Sequence, residues 1–318
     1  MSDMRRWNPS SEELTTSQLP GHSVGSLVAI ILHRLQPHRI VSKMAQSPQD
    51  IRQRINQFTT GNVLGYNRVA LQVFGMLGHG KSSLINSSVS VVKDEEYENV
   101  AGAGLSDGGM TISRHEHELT DALVMIDNRG FQKLMWEEIV EACAQLRSLR
   151  EVTWEKDNLE VTLEQLPHKY TDRPKDFILP VLVYSAISAL GEADMANMEK
   201  LITNTFRVTG IHPIVVITKC SSDKIEEVKK KFGNLGVMKR ICLENYTENN
   251  FERTEEKDQK ILEFVNMCIQ EAERGLKMRQ NEDPQTRFIT QAIQQVKLES
   301  DILRKKIIPP RKKKFWLF

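Results

Sequence analysis

Several common protein classes are excluded by what this chain lacks. Its four cysteines, Cys143, Cys220, Cys242 and Cys268, include no C-x-x-C pair, so neither a disulfide framework nor a zinc site is expected, and reduced thiols are. Charge of one sign is not in excess: 43 Lys and Arg stand against 42 Asp and Glu, a formal net charge of +1. That balance argues against general polyanion binding, so nucleic acid is not an expected partner. Long hydrophobic runs are missing too. The stretch Val24 to Leu32 is apolar but too short to span a bilayer, and it lies behind a polar leader, so the expected compartment is the cytosol.

What remains is ordinary in bulk and specific in one place. At 318 residues and 40% hydrophobic content, the chain can bury a sizeable core in one main domain with extensions. The specific place is Gly75-Met76-Leu77-Gly78-His79-Gly80-Lys81-Ser82, which fits G-x-x-x-x-G-K-[ST] at every position. An apolar run of strand length, Val69 to Phe74, precedes it, and Ser83-Leu84-Ile85-Asn86 opens a helical pattern behind it. Gly75, Gly78 and Gly80 are expected to turn the backbone with positive φ, so that the loop amides, His79 included, point at a bulky anion. The helix from Lys81 adds the positive end of its dipole. Lys81 can reach outer phosphates and the Ser82 hydroxyl can ligate Mg²⁺, with Ser83 the next hydroxyl in line.

Around this centre the chain reads as follows. Residues 1–22 are a polar tail without hydrophobic period, expected to be disordered, and 23–65 form a helical extension. In that extension Ser47 caps a helix with Pro48 in its first turn, running to about Phe58. Lys93 to Met110 is an acidic, then glycine-rich loop, long enough to expect a function. Thr111 is the natural hydroxyl to close over Mg²⁺, with Ser106 and Ser113 as competitors. Ser113 to Leu119 reads as an edge strand and Ala122 to Ile126 as a buried one, ending in Asp127-Asn128-Arg129-Gly130. There Asp127 can contact Mg²⁺ and Gly130 can offer its N–H to a γ-phosphate. His115 and His117 share a strand face, but no third ligand accompanies them.

Phe131 to Leu149 is expected to be helical, with Leu134, Ile139, Cys143 and Leu146 inward. Glu151 to Asp176 is a polar excursion. Strands are expected at Ile178 to Ala186, Pro213 to Ile217 and Arg240 to Leu243. Helices are expected at Met195 to Phe206, Lys224 to Phe232 and Glu255 to Met278. Such alternation predicts an α/β fold, a doubly wound and mainly parallel sheet over residues 66–280 with helical N- and C-terminal extensions.

P-loop, Thr111, D-x-x-G at Asp127 and Thr218-Lys219 after a later strand, in that order, resemble the signature set of the P-loop GTPases. The switch region and Leu243-Glu244-Asn245-Tyr246 are most similar to the interferon-inducible and dynamin-related branch of that superfamily. The resemblance implies a G domain that binds GTP or GDP with Mg²⁺. Phosphates would lie on Gly75 to Gly80, Lys81 and Ser82, with metal at Ser82, Thr111 and Asp127. Lys81 and Thr111 would take the catalytic roles, Asp127 and Gly130 would sense the γ-phosphate, and Thr218, Lys219, Asp223 and Asn245 would flank the base. Two positions depart from the family pattern. Its base-reading element is [NT]-K-x-D, but Ser221 stands in the acid's place and the nearest acid is Asp223. Phe131 stands where a water-positioning Gln is found, and phenylalanine cannot orient water. Hydrolysis is therefore expected to be slow and to need a partner or self-association. A nucleotide-ordered scaffold without turnover and an ATP-binding P-loop protein are the alternative readings.

The region 281–318 reads as a further helix followed by a basic and aromatic tail. Seven basic residues from Arg304 to Lys314 lie beside Phe315-Trp316-Leu317-Phe318, with no acid after Asp301. Such a segment can bind an anionic membrane surface reversibly at about 1 kcal/mol per basic residue, a disordered solvated tail or a nuclear-import or RNA-contacting patch being the alternatives. No cysteine stands near the end for prenylation.

Overall fold

A computed structural model describes residues 47–102, 115–134, 139 and 176–281. The first helix, α1 (Pro48–Gln57), starts as its sequence dictates. The Asp50 amide donates to the Ser47 hydroxyl at 3.2 Å, and the Ser47 amide donates back to the Asp50 carboxylate at 3.2 Å. Two orphan amides are thereby satisfied in a capping box.

After a 3₁₀ turn at Val63–Gly65 come β1 (Arg68–Gly75), α2 (Lys81–Lys93), β2 (His115–Thr120), β3 (Leu123–Asp127) and β4 (Asp176–Ser185). Then follow α3 (Glu192–Thr209), β5 (Ile214–Thr218), α4 (Ile225–Asn234), β6 (Arg240–Cys242) and α5 (Glu255–Asn281). Among the described residues, six strands form one sheet in the order β2-β3-β1-β4-β5-β6. All neighbours run parallel except β2, which pairs antiparallel with β3 at the edge.

The strand sequences explain the layers. Burial on both faces demands near-continuous apolar runs, and alternate residues then serve opposite sides. Val69, Leu71 and Val73 of β1, Phe177, Leu179, Val181 and Val183 of β4, and Ile214 and Val216 of β5 pack with α1, α2 and α5. Phe74, Leu182, Tyr184, Val215 and Ile217 project the other way, onto Met198, Leu201 and Ile202 of α3 and Val228 and Phe232 of α4. Each such side chain contributes about 1.5–3 kcal/mol of transfer free energy. The expected α/β class with a mostly parallel sheet and helices on both faces is what forms. Pro180 sits inside β4, but opposite Gln72, below the point where β5 joins at Val181. Among the described residues β4 has no ladder partner on the β5 side there, so a proline nitrogen facing that side breaks no ladder bond.

One element differs from expectation. Phe131 does not open a helix: it bridges to Met76, its amide donating to the Gly75 carbonyl at 3.0 Å while its carbonyl accepts from Leu77 N–H at 2.8 Å. Packing against Phe74, at 6.3 Å between ring centroids, overrides local helical preference there. Leu134 and Ile139 are buried as expected, while Cys143 and Leu146 lie outside the described residues, as do 1–46 and 282–318. Among the described residues no helix is long and apolar enough to cross a membrane.

Candidate functional site

The glycine loop leaves the carboxyl end of β1, where the chain turns from strand to helix. Its expected backbone is present: φ is +148° at Gly75, +74° at Gly78 and +89° at Gly80. Gly75 is also required by space, because an added Cβ would stand 2.2 Å from the Val183 carbonyl oxygen of β4. Lys81, the first residue of α2, is only 6% exposed. Among the described residues its ammonium donates one hydrogen bond, to the Met76 carbonyl at 3.1 Å, which curls the side chain back over its own loop. Burial lowers its pKa to about 8, against the opposing pull of Asp127.

The second component is the end of β3. Parallel pairing sets Asp127 beside Val73, and its carboxylate accepts from the Ser82 hydroxyl at 3.1 Å. Structure thus brings together the two described residues singled out for Mg²⁺; Thr111, with Ser106 and Ser113, lies outside the described residues. Ser82, not Ser83, makes this contact. Gly130 lies directly over the lysine, since a Cβ there would stand 2.6 Å from Lys81 Nζ and 2.9 Å from Leu77 Cα. Asn128 is fully buried and donates to Gln72 Oε1 and to the Val73 carbonyl, both at 2.9 Å, clamping the turn between Asp127 and Gly130 onto β1.

The third component comes from the ends of β5 and β6. Thr218 donates from its hydroxyl to the His79 carbonyl at 2.8 Å. Lys219, with φ +56°, reaches the Gly78 carbonyl at 3.3 Å. Asn245 donates to the Gly80 carbonyl at 3.0 Å. All three are thereby tied to the glycine loop rather than merely near it. Asp223 is not brought in: it is exposed, and its carboxylate takes the hydroxyl of the adjacent Ser222 at 3.4 Å. Glu244 crosses over instead and accepts from the Ser221 amide at 2.8 Å.

His79 contributes through its backbone, because its ring turns into the protein. Nδ1 accepts from the Ser185 amide at 3.1 Å, which requires the proton on Nε2, and that nitrogen donates to the Ser188 hydroxyl at 3.0 Å. Burial lowers its pKa to about 4, helped by the positive charges of Lys81 and Lys219. The ring packs edge-on to Tyr184 at 4.8 Å.

Sequence reasoning missed the His79–Ser185–Ser188 link, the Gln72–Asn128 clamp and Glu244. Each is a contact between distant segments with no local periodicity to announce it. In donor chemistry the assembled set suits a phosphate chain with Mg²⁺. Lys81 and the loop amides could hold phosphate oxygens, and Ser82 with Asp127 could hold the metal.

No family model matches this sequence, and no curated protein matches it. Among solved structures, a crystal structure of a mutation variant of SsGBP aligns with a TM-score of 0.33 and 15% identity, over 66% of this chain and 57% of that one. A likeness of that size carries no argument about function.

Proposed function

We propose that this chain is a guanine-nucleotide-binding protein with a P-loop G domain and slow Mg²⁺-dependent hydrolysis of GTP to GDP and phosphate, acting as a switch or a membrane-associated assembly. The observation that carries the reading is the buried Lys81 ammonium, set under Gly130 and near the Ser82–Asp127 pair at the carboxyl ends of β1 and β3. Strand ends beside a change of direction in strand order are where open α/β sheets bind ligands. Here β2 and β3 lie on one side of β1, and β4 to β6 on the other.

In this reading Lys81 exchanges the Met76 carbonyl for the outer phosphate oxygens and stabilises the charge that builds on the transferred phosphoryl group. The amides of the loop from Gly75 to Gly80 hold the inner oxygens, and the Gly130 amide meets the terminal ones. Bound Mg²⁺ supplies further neutralisation of phosphate charge. Thr218, Lys219 and Asn245 frame the base. Phe131 is buried against Phe74, so the residue after Gly130 cannot orient an attacking water. A second copy or another partner must then provide what accelerates attack, and the basic, aromatic tail provides the route to an anionic membrane.

The buried Phe131 also favours a second reading, a nucleotide-ordered scaffold with little or no turnover. Phosphate release from GTP, measured over multiple turnovers at rising protein concentration, separates the two. The switch reading expects a slow rate per molecule that climbs with concentration. A rate that stays at background at every concentration favours the scaffold, and a fast, concentration-independent rate contradicts both.

A further inference from the structure

The Thr218-Lys219 turn carries no acid at Ser221, yet the fold delivers one there. Glu244, half-buried, stands at the end of β6, on a segment fastened at three points. The Leu243 amide donates to the Ile217 carbonyl at 3.0 Å, the Asn245 side chain to the Gly80 carbonyl at 3.0 Å, and the Tyr246 amide to the Ser87 hydroxyl at 2.8 Å. Glu244 is thus held between neighbours anchored to β5 and to the P-loop helix. Its Oε1 accepts from the Ser221 amide at 2.8 Å, while Oε2 has no hydrogen bond among the described residues. Asp223 points elsewhere, onto Ser222.

We propose that Glu244 supplies the carboxylate that reads the guanine edge, from the end of β6 beside the β5 end that carries Ser221; the assignment rests on the nucleotide reading above. Guanine presents two adjacent donors, N1–H and N2–H₂, and a carboxylate presents two acceptors at matching separation. One bond from the Ser221 amide fixes the carboxylate without exhausting it, because its two oxygens offer about four acceptor sites. Adenine has an acceptor at N1 and no amino group at C2. It would place a lone pair against the carboxylate, so the same residue rejects ATP.

The test is equilibrium binding of fluorescent, non-hydrolysable analogues of guanosine, xanthosine and adenosine triphosphate to the full chain, as wild type, Glu244→Gln and Asp223→Asn. Glu244→Gln keeps an oxygen for the Ser221 amide, so the turn is retained. Its new NH₂ faces guanine's N2–H₂ donor but matches the C2 carbonyl of xanthine. The expected result is a loss of about 10- to 100-fold for the guanosine analogue, a gain for the xanthosine analogue, and no change in preference for Asp223→Asn. An unchanged guanosine-to-xanthosine ratio in Glu244→Gln, or a switch carried by Asp223→Asn, overturns the assignment. So does a wild type that binds guanosine and adenosine analogues equally, and in that case the phosphate site still stands. A wild type that binds none of the three overturns both.

Discussion

The Lys81 ammonium is almost wholly buried with one carbonyl as its hydrogen-bond partner among the described residues, and burial sets its pKa at about 8 where an exposed lysine has 10.5. Below about pH 8 the folded chain therefore carries a charge it disfavours. Between about 8 and 10.5 the unfolded chain holds a proton that the folded chain lacks, so stability rises with pH across that window. Removing the charge should remove the penalty. Lys81→Met is expected to stabilise the nucleotide-free protein at pH 7 by about 1–3 kcal/mol, to flatten the pH dependence between 8 and 10.5, and to abolish nucleotide binding. Urea unfolding across that pH range checks it; a variant less stable than wild type at pH 7 would mean that Lys81 is a structural ion and not a strained ligand group.

At the scale of elements, two glycines separate folding from binding. Gly75 ends β1 opposite Val183 in the β1–β4 ladder, with φ +148° and the Val183 carbonyl 2.2 Å from any added Cβ. Gly75→Ala must push the central strands β1 and β4 away from each other, and a loss of about 2–4 kcal/mol is expected. Gly130 lies in the turn over the glycine loop, where the new Cβ meets the buried ammonium of Lys81 at 2.6 Å and the Leu77 backbone at 2.9 Å. Gly130→Ala must shift the loop at Leu77 and the Lys81 ammonium but no strand ladder, so a smaller loss of stability than for Gly75→Ala is expected, with nucleotide bound about tenfold more weakly or worse. Thermal unfolding and nucleotide titration of the pair check this. Equal damage to stability by both substitutions would remove the distinction between strand and lid. The strands themselves were legible, because near-continuous apolar runs in β1, β4 and β5 record two covered faces. Phe131 was not: its sequence neighbours suggest a helix, while a backbone bridge to Met76 and the Phe74 ring, both distant in sequence, decide its state.

For the whole molecule, sequence order alone placed P-loop, D-x-x-G and Thr-Lys at successive strand ends, and a mainly parallel sheet necessarily gathers such ends along one rim. That is why Lys81, Ser82, Asp127, Gly130, Thr218, Lys219 and Asn245 could be named together before their contacts were known. Asp223 was named for its nearness in sequence, and the fold instead carries Glu244 to Ser221 from β6. No pattern within one segment reveals which of two strand ends supplies a side chain to a shared rim. The central claim is that this rim binds nucleotide through Lys81. Calorimetric titration of GDP and of a non-hydrolysable GTP analogue, with Mg²⁺, into the full-length wild type and Lys81→Ala tests it most directly. The account predicts saturable binding to the wild type, not displaced by ATP, and none to Lys81→Ala. Equal binding by both proteins, or no heat from either at micromolar concentrations, would contradict it.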